Sequence, residues 1–231
     1  MRLPTVLMLA CAALLAGCAA PRHAAQASAD AAGAAHGWHA VKLPGKPATR
    51  YWAEFKDGLP AVAAQSDRSA SLWRHRMERP MQSLGELSFS WWVDQMIAGA
   101  SVADVDREDA PARLLLAFGG DVASLPLRTR MMFELAEALS GETPPYATLM
   151  YVWDANLPVG SVIVNPRSDR VRKIVVDSGP EHLRRWRKHR RDLVADFRLA
   201  FGEDPGPLRS IALMTDSDNT ASSARVGSLM A

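Results

Sequence analysis

Short stretches of alternating apolar and polar residues occupy most of the chain after residue 37, and they predict a mainly β protein. Turn-forming Pro, Gly, Asn and Asp residues separate the stretches, a spacing that favours antiparallel strands. The predicted strands lie at residues 38–43, 49–55, 60–66, 69–74, 87–93, 109–118, 147–153, 161–165, 171–177, 208–215 and 225–230. Because each strand has one apolar face to bury, the set predicts a β-sandwich.

Two stretches change to helical spacing and predict two α-helices inserted between the strands. In the first, residues 126–140, Leu127, Met131, Leu135 and Leu139 form an apolar stripe that we expect to be buried, with the Met131-Met132 pair filling the core. Ser124 is the predicted N-cap, and Gly141 ends the helix. The second helix is predicted over residues 183–201, with the basic residues of 184–191 on its solvent face.

One face of the predicted strand 87–93 is a candidate ligand surface. Phe89 and Trp91 share the apolar face, whereas Ser90, Trp92 and Asp94 share the opposite one. An indole stacks well on the apolar face of a sugar ring, and Ser and Asp side chains bind its hydroxyl groups. Trp92, Ser90 and Asp94 are therefore candidate glycan-binding residues. The alternative is that a helix or a loop covers this face.

An acidic-polar cluster directly follows the strand at 208–215. Asp216, Asp218 and Asn219 offer hard oxygen ligands of the kind that Ca²⁺ prefers, so a structural Ca²⁺ site is one interpretation. The alternative is a network of Asx turns, in which the side chains cap backbone N–H groups. The cluster lacks the later Gly and bidentate Glu of a helix-loop calcium site, which favours the alternative.

Charge excludes one class of partner and suggests another. The 27 basic and 25 acidic residues nearly balance, which argues against nucleic acid as a partner. The basic run at 184–191 is a local exception that anionic lipid head groups could recognise. Local salt bridges to Asp192, Asp196 or Glu181 are the alternative, and they are the commoner arrangement for charges on a helix face.

The N-terminus predicts export and a lipid anchor. Residues 1–17 have a basic start and an apolar stretch too short to span a bilayer, and they end in Leu-Ala-Gly before Cys18. This ending is the lipobox of bacterial lipoproteins, so we expect residues 1–17 to be removed and Cys18 to carry lipid. The alternative is an ordinary signal peptide cleaved after Ala20.

The same segment predicts where the protein lies and how its domain is attached. An Ala-rich tether follows at 18–37, and one domain occupies 38–231. Because no Asp follows Cys18, the expected location is the outer membrane, facing the periplasm. The 2 cysteines are Cys11 in the signal and Cys18, so the domain has no disulfide.

Catalytic signatures are missing from the sequence. It has no G-x-S-x-G or H-E-x-x-H motif and no phosphate-binding glycine loop. Carboxylates that could form a glycosidase pair are present, but the sequence does not fix their separation. We therefore predict a non-catalytic glycan-binding module. A glycan hydrolase or lyase and a structural protein-interaction module remain the alternatives.

Several strings together resemble one bacterial protein family of unknown function, the DUF3047 family. They are LSFSWWV at 87–93, EDAPARLLLAF at 108–118, YVWDANLPVGS at 151–161, VRKIVVDSG at 171–179, RRDLVADFRLAFG at 190–202 and SIALMTDSDNT at 210–220. The resemblance covers residue 38 to the C-terminus. It implies a jelly-roll sandwich similar to galactose-binding-like and carbohydrate-binding modules, and it implies no established catalytic or binding residue.

Overall fold

The structure is a computed structural model that describes residues 37–230. The predicted signal peptide and all but the last residue of the predicted tether lie outside this range. The described elements are β1 Trp38–Lys42, β2 Arg50–Lys56, β3 Leu59–Asp67, β4 Ser71–Arg79, β5 Glu86–Val93, β6 Ala110–Phe118, α1 Leu127–Ser140, β7 Ala147–Asp154, β8 Val162–Asn165, β9 Ser168–Ser178, β10 Arg187–Asp192, α2 Leu193–Phe201, β11 Leu208–Asp216 and β12 Ser223–Met230. Within the described residues, no helix has the length and apolar character needed to cross a membrane.

Two sheets form the sandwich. The seven-stranded sheet has the order β1-β4-β11-β6-β7-β9-β8, and the five-stranded sheet has the order β10-β5-β12-β3-β2. Among the described residues, paired strands are antiparallel except β7 with β9, which run parallel. The jelly-roll-like β-sandwich with two inserted helices is thus confirmed, with one parallel pair added.

The core lies between the two sheets and is built from alternate residues of their strands. Phe89 and Trp91 of β5 pack there, and Tyr151 and Trp153 of β7 face them. The Phe89 and Tyr151 rings stack with centroids 5.6 Å apart, and Phe89 meets Trp91 edge-on at 5.2 Å. Such contacts add to the burial of apolar area. The predicted core face of β5 is therefore confirmed.

The helix predicted over 183–201 is wrong in its first half. Residues 187–192 form β10 at the edge of the five-stranded sheet, paired with β5, and the helix begins only at Leu193. Asp192 caps α2 by accepting hydrogen bonds from Val194 N and Ala195 N. Alternate side chains of β10 point inward, where buried carboxylates accept hydrogen bonds from them. Pairing with those carboxylates favours a strand over a solvated helix face.

The α1 helix forms as predicted and ends at Gly141, whose φ of 73° suits glycine. Pro126 occupies its N-cap position, so the predicted cap at Ser124 is wrong. The expectation that the apolar stripe is buried is also wrong. Leu127, Met131, Met132, Leu135 and Leu139 are all exposed, and the buried side chain of α1 is that of Phe133. The Met131-Met132 pair does not fill the core.

The buried carboxylate of Asp177 joins the two sheets. Asp177 of β9 accepts hydrogen bonds from Trp91 Nε1 at 2.7 Å and Arg187 Nε at 2.9 Å, and His189 Nε2 lies 2.8 Å from its Oδ2. Trp91, Arg187 and His189 all belong to the opposite sheet. A register shift in the β7–β9 pair places Asp177 opposite the inward-facing Trp153, so the bulge turns this carboxylate toward the core.

Replacing Asp177 with asparagine should lower the free energy of unfolding at pH 7 by about 1.5–3 kcal/mol, the usual contribution of hydrogen bonds to a charged group, because Asp177 is buried but Arg187 is one third exposed. The amide keeps the shape of the carboxylate but leaves Arg187 without its counter-charge. Urea denaturation followed by tryptophan fluorescence would measure the loss.

The same variant should be less sensitive to acid. Burial raises the pKa of Asp177, but hydrogen bonds from His189 and Trp91 outweigh it and hold that pKa below its usual range. A lowered pKa adds stability above the unfolded value, about 3.9, which is lost as pH falls through the folded value. The wild type should therefore lose more stability than Asp177→Asn between pH 5 and pH 2. Equal losses would contradict this role of Asp177.

Candidate functional site

The outer face of the seven-stranded sheet forms the floor of a cleft of about 1000 Å³. Outward-facing residues two apart on each strand line the floor, among them Arg74 and Arg76 of β4, Ser210 and Ala212 of β11, and Thr148 and Met150 of β7. This spacing follows from the two-residue repeat of a strand. The segments 119–122 and 141–146 form the rim.

An ion-pair cluster crosses this cleft. Glu142 of the rim accepts hydrogen bonds from Arg74 Nη1 at 2.7 Å, Arg74 Nη2 at 2.9 Å and Arg76 Nη2 at 2.8 Å. The bond from Arg74 lowers the pKa of Glu142 to about 2, against a smaller opposing effect of burial. Arg209 pairs with Glu78 nearby. The cleft therefore carries three guanidinium groups and two carboxylates, and Glu142 is ionised at neutral pH.

Glycines let the rim pack closely at one end of the cleft. A Cβ on Gly120 would lie 2.4 Å from the Tyr146 ring, and a Cβ on Gly206 would lie 1.9 Å from the Gly119 carbonyl oxygen. Side chains larger than hydrogen would thus push the rim apart. The Arg170 guanidinium also lies against the Tyr146 ring, 4.1 Å from its centroid.

The predicted acidic cluster is gathered in space, with one member that the sequence did not suggest. Carboxylate oxygens of Asp109, Asp216 and Asp218 lie within 4.8 Å of one another. Asp109 accepts hydrogen bonds from Asn219 N at 3.1 Å and from Thr220 N and Oγ1, each at 2.6 Å. Asp109 therefore caps the turn after β11, an arrangement of the kind expected for an Asx network.

Cations already lie against this cluster. Asp216 accepts from Arg113 Nε at 2.8 Å, and Asp218 pairs with Lys46. Burial raises the pKa of Asp216 to about 6, although the attraction of Arg113 opposes it. A Ca²⁺ ion would have to displace Lys46 and lie beside Arg113. The side chain of Asn219 is already used, because its Nδ2 donates a hydrogen bond to the Val105 carbonyl oxygen. These contacts fit the capping network better than the Ca²⁺ interpretation, which stays a prediction.

Trp92 lies outside the core cluster that holds Trp91, but it is not an open platform. Its side chain is 8% exposed, and the Lys56 ammonium lies 3.6 Å from its ring centroid. Asp94 forms an exposed ion pair with Arg184, with Arg184 Nε 3.2 Å from Asp94 Oδ1, and Ser90 is half-buried. The structure thus covers one side of the predicted stacking surface. Glycan binding by Trp92, Ser90 and Asp94 stays a prediction.

The basic run divides into two faces because it is a strand. Arg187, His189 and Arg191 point inward, and Arg191 binds Asp196 through Nε at 2.8 Å and Nη2 at 2.5 Å. The predicted salt bridge to Asp196 is confirmed. Tyr151 OH also donates to Asp196 at 2.7 Å, which links β7, β10 and α2.

Sequence analysis missed the Arg74–Arg76–Glu142 cluster. The two arginines are two residues apart on a strand, a signal for one face, and the prediction ended that strand at Arg74. Glu142 lies 66 positions beyond Arg76, in a loop. No local pattern reports a pairing over that distance, because it depends on how β4 and the segment after α1 meet.

Comparisons with known proteins identify a family. A family model described as "Protein of unknown function (DUF3047)" matches residues 36–228. No curated protein matches the chain. Among solved structures, the chain is similar to the xyloglucanase domain of NopAA, a type three effector from Sinorhizobium fredii, at 10% identity and a TM-score of 0.41 over 83% of this chain and 89% of that one.

A second solved structure is similar to the same extent. It is a thermostable cellulase derived by mutation from the Cel12A cellulase of Rhodothermus marinus, at 12% identity and a TM-score of 0.42 over 86% of this chain and 94% of that one. Likeness at this level says nothing about what the present chain binds or catalyses.

Replacing Asp216 with alanine should lower the free energy of unfolding by about 3–5 kcal/mol, because it leaves the buried Arg113 without its nearest carboxylate. Urea denaturation would measure this. Asp204→Ala is the matched control, since it breaks the exposed Arg198–Asp204 pair and should cost within about 1 kcal/mol. Similar losses in both variants, or lost ligand binding in an Asp216→Ala protein of unchanged stability, would contradict a structural role.

Proposed function

We propose, from the premise that this chain belongs to the DUF3047 family of proteins of unknown function, that it is a lipid-anchored envelope protein that binds an acidic glycan without cleaving it. The binding site in this proposal is the cleft on the outer face of the seven-stranded sheet. The observation that carries the proposal is the group of three arginines, Arg74, Arg76 and Arg209, on one open cleft.

The arginines favour a ligand that carries carboxylate groups. A guanidinium presents a planar fork of N–H donors that matches a carboxylate, and Arg74 already holds Glu142 in this way. Arg76 and Arg209 are exposed enough to meet a ligand, with side chains 63% and 50% accessible. A uronic acid in a glycan chain supplies the carboxylate they would bind.

The cleft also suits a sugar chain in size and polarity. Its volume of about 1000 Å³ is at the upper end of the range for ligand sites. Ser210 and Thr148 offer hydroxyl groups on its floor, and Leu115 and Met150 offer apolar surface beside them. Sugar rings combine these two requirements, since they have hydroxyl edges and apolar faces.

The carboxylates of the cleft favour binding over hydrolysis. A glycosidase needs one carboxyl group with a raised pKa, so that it can protonate the leaving oxygen. The pKa of Glu142 is lowered to about 2, so this group is not a general acid at neutral pH. Asp216 has a raised pKa, but it is buried against Arg113 and does not line the cleft. The hydrolase alternative would need Glu142 as the base or nucleophile and Glu78, the other carboxylate of the cleft, as the acid.

Replacing Arg76 with alanine should weaken binding of an acidic oligosaccharide about tenfold or more, because one charge-assisted hydrogen bond contributes about 1.5–3 kcal/mol. Isothermal titration calorimetry with oligogalacturonate, beside a neutral gluco-oligosaccharide of equal length, would measure it. Arg198→Ala is the matched control, since it removes an exposed, ion-paired arginine that does not line the cleft. It should bind like the wild type.

The other possible results, together with an assay for new reducing ends, would each contradict one part of the proposal. Equal affinity for the acidic and neutral sugars would overturn the acidic ligand class. No binding of either sugar would overturn glycan binding in this cleft. New reducing ends that form with wild-type protein and not with Glu142→Gln would establish hydrolysis instead.

Replacing Cys18 with serine should abolish lipid attachment. The lipobox before Cys18 supports the anchor, because the thiol is the group that takes the lipid. The full chain, expressed in a double-membraned bacterium with radiolabelled palmitate, should carry label and fractionate with the outer membrane. Cys18→Ser should do neither. A wild-type protein without label, or one whose mature N-terminus is Pro21, would overturn the anchor.

A further inference from the structure

The α1 helix packs against the domain through a narrow side. Phe133 is its buried residue, and Thr129, Arg130 and Ala136 on the same side are half-buried. These four residues cluster on one side because a helix repeats every 3.6 residues. A cavity of about 490 Å³ lies between this side and the β8–β9 turn, so the helix is only loosely packed.

The opposite side of α1 exposes large apolar side chains. They are Leu127, Met131, Met132, Leu135 and Leu139, each 50–72% exposed, and Met132 lies at the edge of the set, where it also lines the cavity. Here this set is called the apolar face. The helix has 14 residues and is thus about 21 Å long. A soluble protein rarely exposes so many large apolar side chains together unless something covers them.

We propose that the apolar face of α1 lies on the phospholipid surface that holds the lipid anchor. The inference rests on the anchoring half of the proposed function and is independent of the glycan. A helix with one strongly apolar side and charged groups beside it lies in the plane of a membrane interface, with the apolar side chains among the acyl chains.

The place where the tether joins the domain supports this occupant. The first described strand, β1, pairs with β4, so that His39 lies opposite Arg74. Arg74 binds Glu142, which is two residues beyond the end of α1. The tether therefore enters the domain one strand away from the residue that binds the end of α1. The 18 residues from 19 to 36 span at most about 65 Å, a reach that allows α1 to contact the membrane surface.

One arginine of α1 is also placed to contact phospholipid head groups. Arg128 is exposed and borders the cavity, and its position on the helical wheel falls between those of Leu135 and Leu139. A long arginine side chain can lie along an apolar surface and hold its guanidinium at the level of the phosphates. Glu134 falls at the edge of the apolar face beside Leu127, and Glu137 falls on the side that packs against the domain, so both carboxylates can stay outside the acyl chains.

A second copy of the chain is a weaker candidate for this face. A stable protein interface needs about 800 Å² and 20–30 residues on each partner. Five side chains on one four-turn helix fall short of that number. A lipid surface needs no shape-matched partner, because it adapts to whatever apolar side chains are inserted.

A fluorescence experiment tests whether the apolar face enters lipid. Cys18→Ser leaves the mature chain from residue 18 without any cysteine, so one new cysteine can be labelled alone. Leu135→Cys would carry an NBD fluorophore on the apolar face, and Leu199→Cys would carry it at an exposed site on α2 as a matched control. With phosphatidylethanolamine–phosphatidylglycerol vesicles, the label at 135 should shift to the blue and the label at 199 should not.

A second variant checks that binding depends on this face. Met131→Gln, Leu135→Gln and Leu139→Gln together should reduce vesicle-bound protein at least tenfold in sedimentation, with an unchanged melting temperature because the side chains are exposed. Leu199→Gln should bind like the parent chain. No blue shift at 135, or a dimer in analytical ultracentrifugation that the triple variant abolishes, would overturn the inference.

Failure of this inference can be told apart from failure of the anchor. The vesicle assay uses an unlipidated chain, whereas palmitate labelling reports on Cys18 alone. If the full chain carries palmitate but the unlipidated chain does not bind vesicles, the lipid contact of α1 is wrong and the anchor stands. If the unlipidated chain binds vesicles but the full chain carries no palmitate, the lipid contact of α1 stands and the anchor is wrong. The triple variant should bind the acidic oligosaccharide like the wild type, since none of its three residues lines the cleft.

Discussion

The carboxylate of Asp177 is the constraint on which the packing of the two sheets depends. It belongs to the seven-stranded sheet, and it accepts hydrogen bonds from Trp91 and Arg187 of the five-stranded sheet. A buried charge is tolerated only when such partners surround it. Its partners therefore have to stay in place, which fixes β10 at the sheet edge and positions α2, which begins directly after β10.

Charged residues occupy three different settings in this molecule. Asp177 and Asp196 are buried and join elements of the core, and the buried pair of Arg113 with Asp216 secures the strand ends beside the turn that Asp109 caps. In the cleft, by contrast, Arg76 and Arg209 are largely exposed. Exposed charges contribute little to folding, so their grouping on one open face is better explained by a ligand than by stability.

The proposed ligand and the proposed lipid contact use adjoining parts of the structure. The segment after α1 forms the rim of the cleft through Glu142, and α1 itself carries the apolar face. A domain placed in this way would hold its cleft close to the membrane that anchors it. Glycans of the envelope are found in that space, which gives the two proposals a common setting while their tests remain separate.

The sequence by itself determined most of the local structure: the strands other than β10, the end of α1 at Gly141, the core face of β5 and the family. Each of these follows from alternation, turn residues or strings a few residues long. The tertiary structure alone decided that 187–192 is a strand, because the carboxylates that receive Arg187 and Arg191 come from β9 and α2. It also decided that α1 exposes its apolar face and that Glu142 meets Arg74. A helical period predicts that one face is apolar, but only the packing of the whole chain decides which face is covered.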